Sequence, residues 1–184
     1  MINNRLWETE KEEFEKLSVL SNISRYNTRY RIKNESVAAH SFYTIWFTSK
    51  LCASMNLSPR VTMLAMEAAM VHDIPEIYIN DITYDCKKLV PELEEILKPY
   101  ELAIVDRIST EAADILFRPA STEQKLINTI VKYADVLSVK QYALSEFRLG
   151  NTSFYEIYEG ACTRLNEIEE DLNKYSNEYF KEED

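Results

Sequence analysis

Glycine occurs at only two positions, 150 and 160, in 184 residues, and proline at five. These are the residues that let a chain reverse direction within two or three steps. With so few of them the sequence cannot supply the turns of a many-hairpin β fold, and helices become the way to bury its apolar residues. We expect an all-α protein, a bundle of about six to eight helices. The length suits one domain, residues 1–184, with a core of full size.

Apolar spacing and helix-start residues divide the chain further. Leu6, Phe14, Leu17 and Leu20 recur among glutamates and lysines, which predicts a helix over 5–20. Ser36 can cap a helix from Val37 to about Asn56, and Ser58-Pro59 can start another that turns Val61, Leu64, Ala65, Ala68 and Val71 inward. Residues 91–117 have a helical pattern, with Pro99 expected to split it into two helices. Ser121 and Gln124 have the spacing of a capping box, and Gly150 is a natural stop for the long helix that follows. A last helix is expected over about 153–180, packed on the rest through Phe154, Ile157, Leu165, Ile168 and Leu172.

The formal charge of −10 opposes a protein that holds a nucleic acid backbone, which needs an extended basic face. One stretch runs against that balance. Between Ser21 and Asn34 lie Arg25, Arg29, Arg31 and Lys33 with no acidic residue, either a solvated basic loop or a site for a small anion. Cys52, Cys86 and Cys162 are odd in number and widely spaced, which fits reduced thiols and a cytoplasmic setting. No secretory leader opens the sequence and no apolar run approaches ~20 residues, so no membrane partner is expected.

The chemistry-bearing residues are few. The only two histidines, His40 and His72, both fall in apolar helical surroundings. His72 begins His72-Asp-Ile-Pro-Glu76, with Asp81 a few residues on and Lys87 and Lys88 beyond it. Glu76 follows His72 by four residues, so a short helical turn would face both into one pocket. Asp135 shares a helical stripe with Ile127, Val131 and Val139. Taken singly, each has a plain alternative: His40 a core histidine, Asp135 a carboxylate paired with an arginine, Asp81 a turn residue, the lysines a solvated face. Taken together, two imidazoles and two aspartates at core positions form a nitrogen and oxygen donor set suited to one divalent ion.

The order His40, His72-Asp73, Asp135 resembles the HD-domain metal phosphohydrolases. The surrounding pieces, Arg25-Tyr26, Glu35-Ser-Val-Ala-Ala-His-Ser41, His72-Asp-Ile-Pro-Glu through Asp81, and Lys132-Tyr-Ala-Asp135, are similar to those of the small bacterial 5′-deoxynucleotidases of the YfbR type over about residues 15–150. The resemblance implies an HD-domain bundle that binds one divalent ion (Mn, Co, Fe, Zn or Mg) through His40, His72, Asp73 and Asp135. It implies Glu76, Asp81 and Arg25 as catalytic residues, with Arg25, Tyr26, Asp81 and Lys87 on the substrate. The expected activity is hydrolysis of deoxynucleoside 5′-monophosphates to deoxynucleoside and phosphate. The same skeleton serves dNTP triphosphohydrolases, and a silent nucleotide-sensing module would use it too. The family has tryptophan after the arginine, where it helps to select deoxyribose; here the residue is Tyr26. The resemblance also implies a homodimer, for which Phe154, Tyr155, Tyr158 and Tyr175 on the last helix offer an aromatic surface.

Overall fold

Four serines begin helices. In the computed structural model, which describes residues 15–183, Ser36 Oγ accepts from the Ala39 amide at the start of α1 (Val37–Ser54). Ser58 Oγ accepts from Val61 N–H at the start of α2 (Pro59–Val71), where Pro59 fills the first turn. The chain continues through α3 (Glu76–Ile79), α4 (Tyr84–Leu89), α5 (Glu92–Asp106), α6 (Thr110–Phe117, capped by Ser109), α7 (Thr122–Arg148) and α8 (Tyr155–Glu183). At α7 the capping box is complete: Ser121 Oγ accepts from Gln124 N–H, and Gln124 Oε1 accepts from Ser121 N–H. Each such cap satisfies amides that the helix leaves unpaired and contributes about 1 kcal/mol. No strand occurs among the described residues; there is one isolated antiparallel bridge, Ser24 to Ser36. The all-α expectation holds. Most of the helix expected over 5–20 lies outside the described residues; residues 15–18 are helical and tighten into a 3₁₀ turn, Val19–Ser21.

One expectation fails. Pro99 does not split residues 91–117, because α5 runs through it and the break comes at 107–109. Pro99 sits on an exposed face, where the Glu95 carbonyl it leaves without a donor can turn to water.

Helix α7 is the axis. It packs against α8 along its length and also against α1, α2 and α6. Leu126, Ile127 and Ile130 are fully buried on it, each side chain worth about 1.5–3 kcal/mol. They meet Val37 and Cys52 of α1 and Val61, Ala65, Ala68 and Val71 of α2 in one core cluster. The alanines let α2 approach closely. A smaller cluster joins Tyr142, Ala143 and Phe154 to Tyr26, Ile157 and Tyr158. Phe154 is thus a core residue and Tyr175 packs on the main core, so neither is free to build the aromatic surface that the sequence suggested.

The segment before α1 is held by one carboxylate. Glu146, fully buried on α7, accepts from the Ile32 and Lys33 amides at 2.7 Å each and from the Asn151 side chain at 2.9 Å. Tyr142 donates to the Lys33 carbonyl at 2.6 Å. Burial alone would raise the Glu146 carboxyl, but the Ile32 amide, the Asn151 amide and the Lys33 amide hold it below the usual range. A depressed carboxyl adds stability that is present above its unfolded pKa and lost as the pH falls through the folded one. Glu146→Ala empties a fully buried position and takes the acceptor from the Ile32 and Lys33 amides, so it should destabilise the protein by about 2–4 kcal/mol at neutral pH. Denaturant melts of both proteins test this, and the gap should narrow toward acid pH.

Candidate metal and nucleotide site

Helices α1, α2 and α7 deliver four ligand candidates to one point. His40 lies on the inner face of α1 among Val37, Thr44 and Thr48 and is fully buried. His72 and Asp73 come where α2 ends and Pro75 starts the turn into α3. Ligand atoms of His40, His72 and Asp73 all lie within 4.8 Å of one another. Asp73 Oδ2 stands 3.6 Å from His40 Nε2 and 3.3 Å from His72 Nε2, and Asp135 Oδ1 is 2.9 Å from His40 Nε2.

Hydrogen bonds fix which nitrogen each imidazole offers. The Ala69 carbonyl lies 2.7 Å from His72 Nδ1, so Nδ1 carries the proton and donates it. His72 Nε2 is left as a bare lone pair, buried and without a hydrogen-bond partner. His40 Nδ1 meets Ser138 Oγ at 3.1 Å, which leaves its Nε2 to face the two aspartates. Burial and then the nearby Arg25 charge push the His40 pKa down, which keeps it a neutral ligand. Asp135 keeps 38% of its side-chain surface open to the pocket. Its burial would raise its carboxyl, but the His40 bond and the charges of His40, His72 and Arg25 drive it well below the ordinary value. Two carboxylates and two imidazole Nε2 atoms turned to one point are what a divalent ion requires of its ligands. The residues fit the group.

Around this cluster stand the other expected residues. Arg25 is half-buried, with its Nη1 fully enclosed, near Asp73, Asp135 and Glu35. Burial opposes its charge, but Tyr26 and those three carboxylates outweigh it and raise its pKa. Arg25 Nη1 nevertheless has no hydrogen-bond partner. The rest of the basic segment is engaged elsewhere: Arg29 pairs with Asp85 at 2.6 Å, Arg31 donates to the Arg25 carbonyl, and Lys33 reaches Ser145. Of that local +4, only Arg25 enters the pocket. Tyr26 adopts φ 55°, a left-handed backbone that is costly for a bulky residue. Its ring pays for this by stacking on Tyr142 at 5.0 Å and meeting Phe154 edge-on at 5.3 Å.

Glu76 opens α3, and its buried Oε2 has no partner. Burial first, then the charges of Asp73 and Asp81, push its carboxyl up to about 9, against the pull of Arg25 and Lys87. Asp81 and Lys87 are thus within electrostatic reach of Glu76. Asp81 follows Asn80, whose φ of 60° and ψ of 172° belong to a region that residues other than glycine rarely adopt. His40, His72, Asp73 and Asp135 thus meet at one point, and Arg25, Tyr26, Glu76, Asp81 and Lys87 lie within electrostatic reach of it or of one another. Two more join them. Glu35 is buried beside Arg25, Asp135 and Asp81, with Oε2 unpartnered; burial raises its carboxyl to about 7. Glu101 of α5 has its carboxyl raised by burial and feels Lys87, Glu94 and Asp73. Glu35 had a signal in the sequence, as the acidic residue that ends the basic run. Glu101 had none, since one glutamate on an acidic helix is unremarkable.

This fold is shared by solved HD-domain phosphohydrolases. Solved structures of similar fold include an HD-domain phosphohydrolase from Listeria innocua (24% identity, 94% of this chain and 86% of that one, TM-score 0.65). Another is the cyanophage S-2L HD phosphohydrolase DatZ, bound to dA and one catalytic Zn²⁺ (20% identity, 92% and 96%, TM-score 0.62). A third is a conserved hypothetical protein from Pyrococcus furiosus (21% identity, 92% and 95%, TM-score 0.69). A search of curated proteins finds no match. The family model of the YfbR-like 5′-deoxynucleotidases matches residues 13–183, and the chain belongs to that family. It is a hydrolase of phosphate ester bonds in nucleotides.

Proposed function

We propose that the protein hydrolyses 2′-deoxynucleoside 5′-monophosphates to deoxynucleoside and inorganic phosphate at a single divalent ion held by His40, His72, Asp73 and Asp135. The observation that carries this reading is the buried Arg25 guanidinium, one nitrogen unpartnered, directly beside the His/Asp cluster. A buried cation that is short of a partner calls for an anionic ligand, and a phosphate fits its forked donors. The ion would polarise the phosphoryl group and acidify bound water. Arg25 then holds the phosphate oxygens and offsets their charge. Glu76, with Oε2 free, positions the attacking water and handles its proton, and Asp81 supports it from the strained turn after α3. Lys87 adds positive charge at the pocket edge. As water adds to phosphorus the P–O5′ bond breaks, and a proton goes to the departing 5′-oxygen. The net charge of −10 with one internal cation suits a small anion over a polynucleotide.

A panel of ribo- and deoxynucleoside mono-, di- and triphosphates, assayed with Mn²⁺, Co²⁺, Zn²⁺ and Mg²⁺, tests the reading. Release of inorganic phosphate from deoxynucleoside monophosphates is expected. Release of triphosphate from a dNTP instead would replace it with the triphosphohydrolase reaction, and absence of any turnover with every metal would leave a nucleotide-sensing module.

We also propose a homodimer and a cytoplasmic setting. Phe42, Tyr43 and Trp46 of α1 are each exposed over about half of their surface or more, an aromatic row that supports pairing with a second copy. The three cysteines are free, and no helix among the described residues is long and apolar enough to cross a membrane. Light scattering at micromolar protein should give twice the chain mass; a monomer would refute the pairing.

A further inference from the structure

Two carboxylates at the pocket, Glu35 and Glu101, have no task in metal binding or phosphate transfer, and of the two it is Glu35 that has a buried oxygen without a partner. Glu35 is 5% exposed, and its Oε2 has no hydrogen-bond partner. It is not a stray residue on a loose loop. The antiparallel bridge between Ser24 and Ser36 ties the two arms of the segment together, and Arg25 N–H donates to the Glu35 carbonyl at 2.9 Å. Val37 N–H donates to the Ile23 carbonyl at 2.9 Å on the other side of the bridge. Arg25 and Glu35 are therefore held abreast, five residues before His40 enters α1.

Three buried polar atoms in this corner lack partners: Arg25 Nη1, the Tyr26 hydroxyl and Glu35 Oε2. Unsatisfied buried polar atoms are costly, and a group of them marks a place that a ligand completes. Their chemistry is split. The guanidinium asks for an anion, whereas a carboxylate repels phosphate and asks for a hydrogen-bond donor. The phosphate must stand at the ligand cluster and Arg25, so what lies next to it is the sugar. A 2′-deoxynucleoside 5′-monophosphate has one free sugar hydroxyl, at the 3′ position, since O5′ carries the phosphate. Resting on the nucleotidase reading above, we infer that Glu35 is a specificity residue that accepts a hydrogen bond from the 3′-hydroxyl of the substrate. In this way the site tells a nucleotide from a bare phosphate ester: Arg25 takes the phosphate and Glu35, on the adjacent arm, takes the sugar.

The test is a ratio measured within one enzyme, which cancels differences in the folded or metal-loaded fraction. kcat/KM is determined for dAMP and for its 2′,3′-dideoxy counterpart, with wild type, Glu35→Ala and Glu35→Gln. A hydrogen bond to a charged acceptor predicts that wild type prefers dAMP about tenfold to a hundredfold. Glu35→Ala should bring that preference to near unity by lowering the dAMP value alone. Glu35→Gln, which keeps a neutral acceptor, should retain part of it. If wild type treats both substrates alike, or if Glu35→Ala slows both by the same factor, Glu35 does not touch the 3′-hydroxyl and serves only to hold Arg25. A wild type inactive on every deoxynucleoside monophosphate overturns the nucleotidase reading and this role with it.

Discussion

Asp135→Ala is expected to bind no divalent metal at stoichiometric levels and to lose on the order of a thousandfold in kcat/KM. Asp135 is the ligand we propose from α7, and His40 Nε2 stands 2.9 Å from its oxygen. Removing it leaves three ligands from α1 and the end of α2, with no tie to the long helix. Ser138 still holds His40 by Nδ1, so the fold should survive and circular dichroism should keep its helical amplitude. Elemental analysis of the purified variant decides the outcome. A full complement of metal in Asp135→Ala would make the residue a structural carboxylate. Chelation of wild type should produce the same loss, and Mn²⁺ or Co²⁺ should restore it.

Arg25→Ala should lower kcat/KM by a factor on the order of a hundred or more while metal content stays at the wild-type level. The guanidinium is fixed in position through its backbone, by the bond to Glu35 and by the Arg31 side chain on its carbonyl. Its loss would remove the charge we propose for the phosphate without dismantling those supports. Glu76→Ala should depress kcat to a similar degree but leave KM largely unchanged, because proton handling belongs to the transition state. Steady-state kinetics on dAMP separates the two. Should Arg25→Ala turn over normally while Arg29→Ala fails, the phosphate would lie outside the pocket, near the Arg29–Asp85 pair.

The His/Asp cluster was legible because it broke a pattern. His40 and Asp135 interrupt apolar helical stripes, and a polar group at such a position needs a partner. The caps were legible for a local reason: Ser36, Ser58 and Ser121 act within three residues of themselves. What escaped was set by contacts far apart in the chain. Glu146 fastens Ile32 and Lys33 from more than a hundred residues away, and no spacing rule foretells it. The fate of Phe154 was hidden for a similar reason, since its partners Tyr26 and Tyr142 come from two distant segments. Pro99 misled because the cost of a helical proline depends on whether the carbonyl it strands is wet, which the sequence alone does not state.

One helix carries both halves of the pocket in a fixed phase. Asp135, Ser138, Tyr142 and Glu146 are three, four and four residues apart on α7, so they fall on a single stripe about 16 Å long. The first two meet His40 at the His/Asp cluster, and the last two grip the segment that presents Arg25. Inserting or deleting one residue between 138 and 142 would rotate one pair by about 100° against the other. Point changes along the stripe can drift one at a time, but its length is locked, and gains or losses of sequence during descent must fall in the turns at either end of α7.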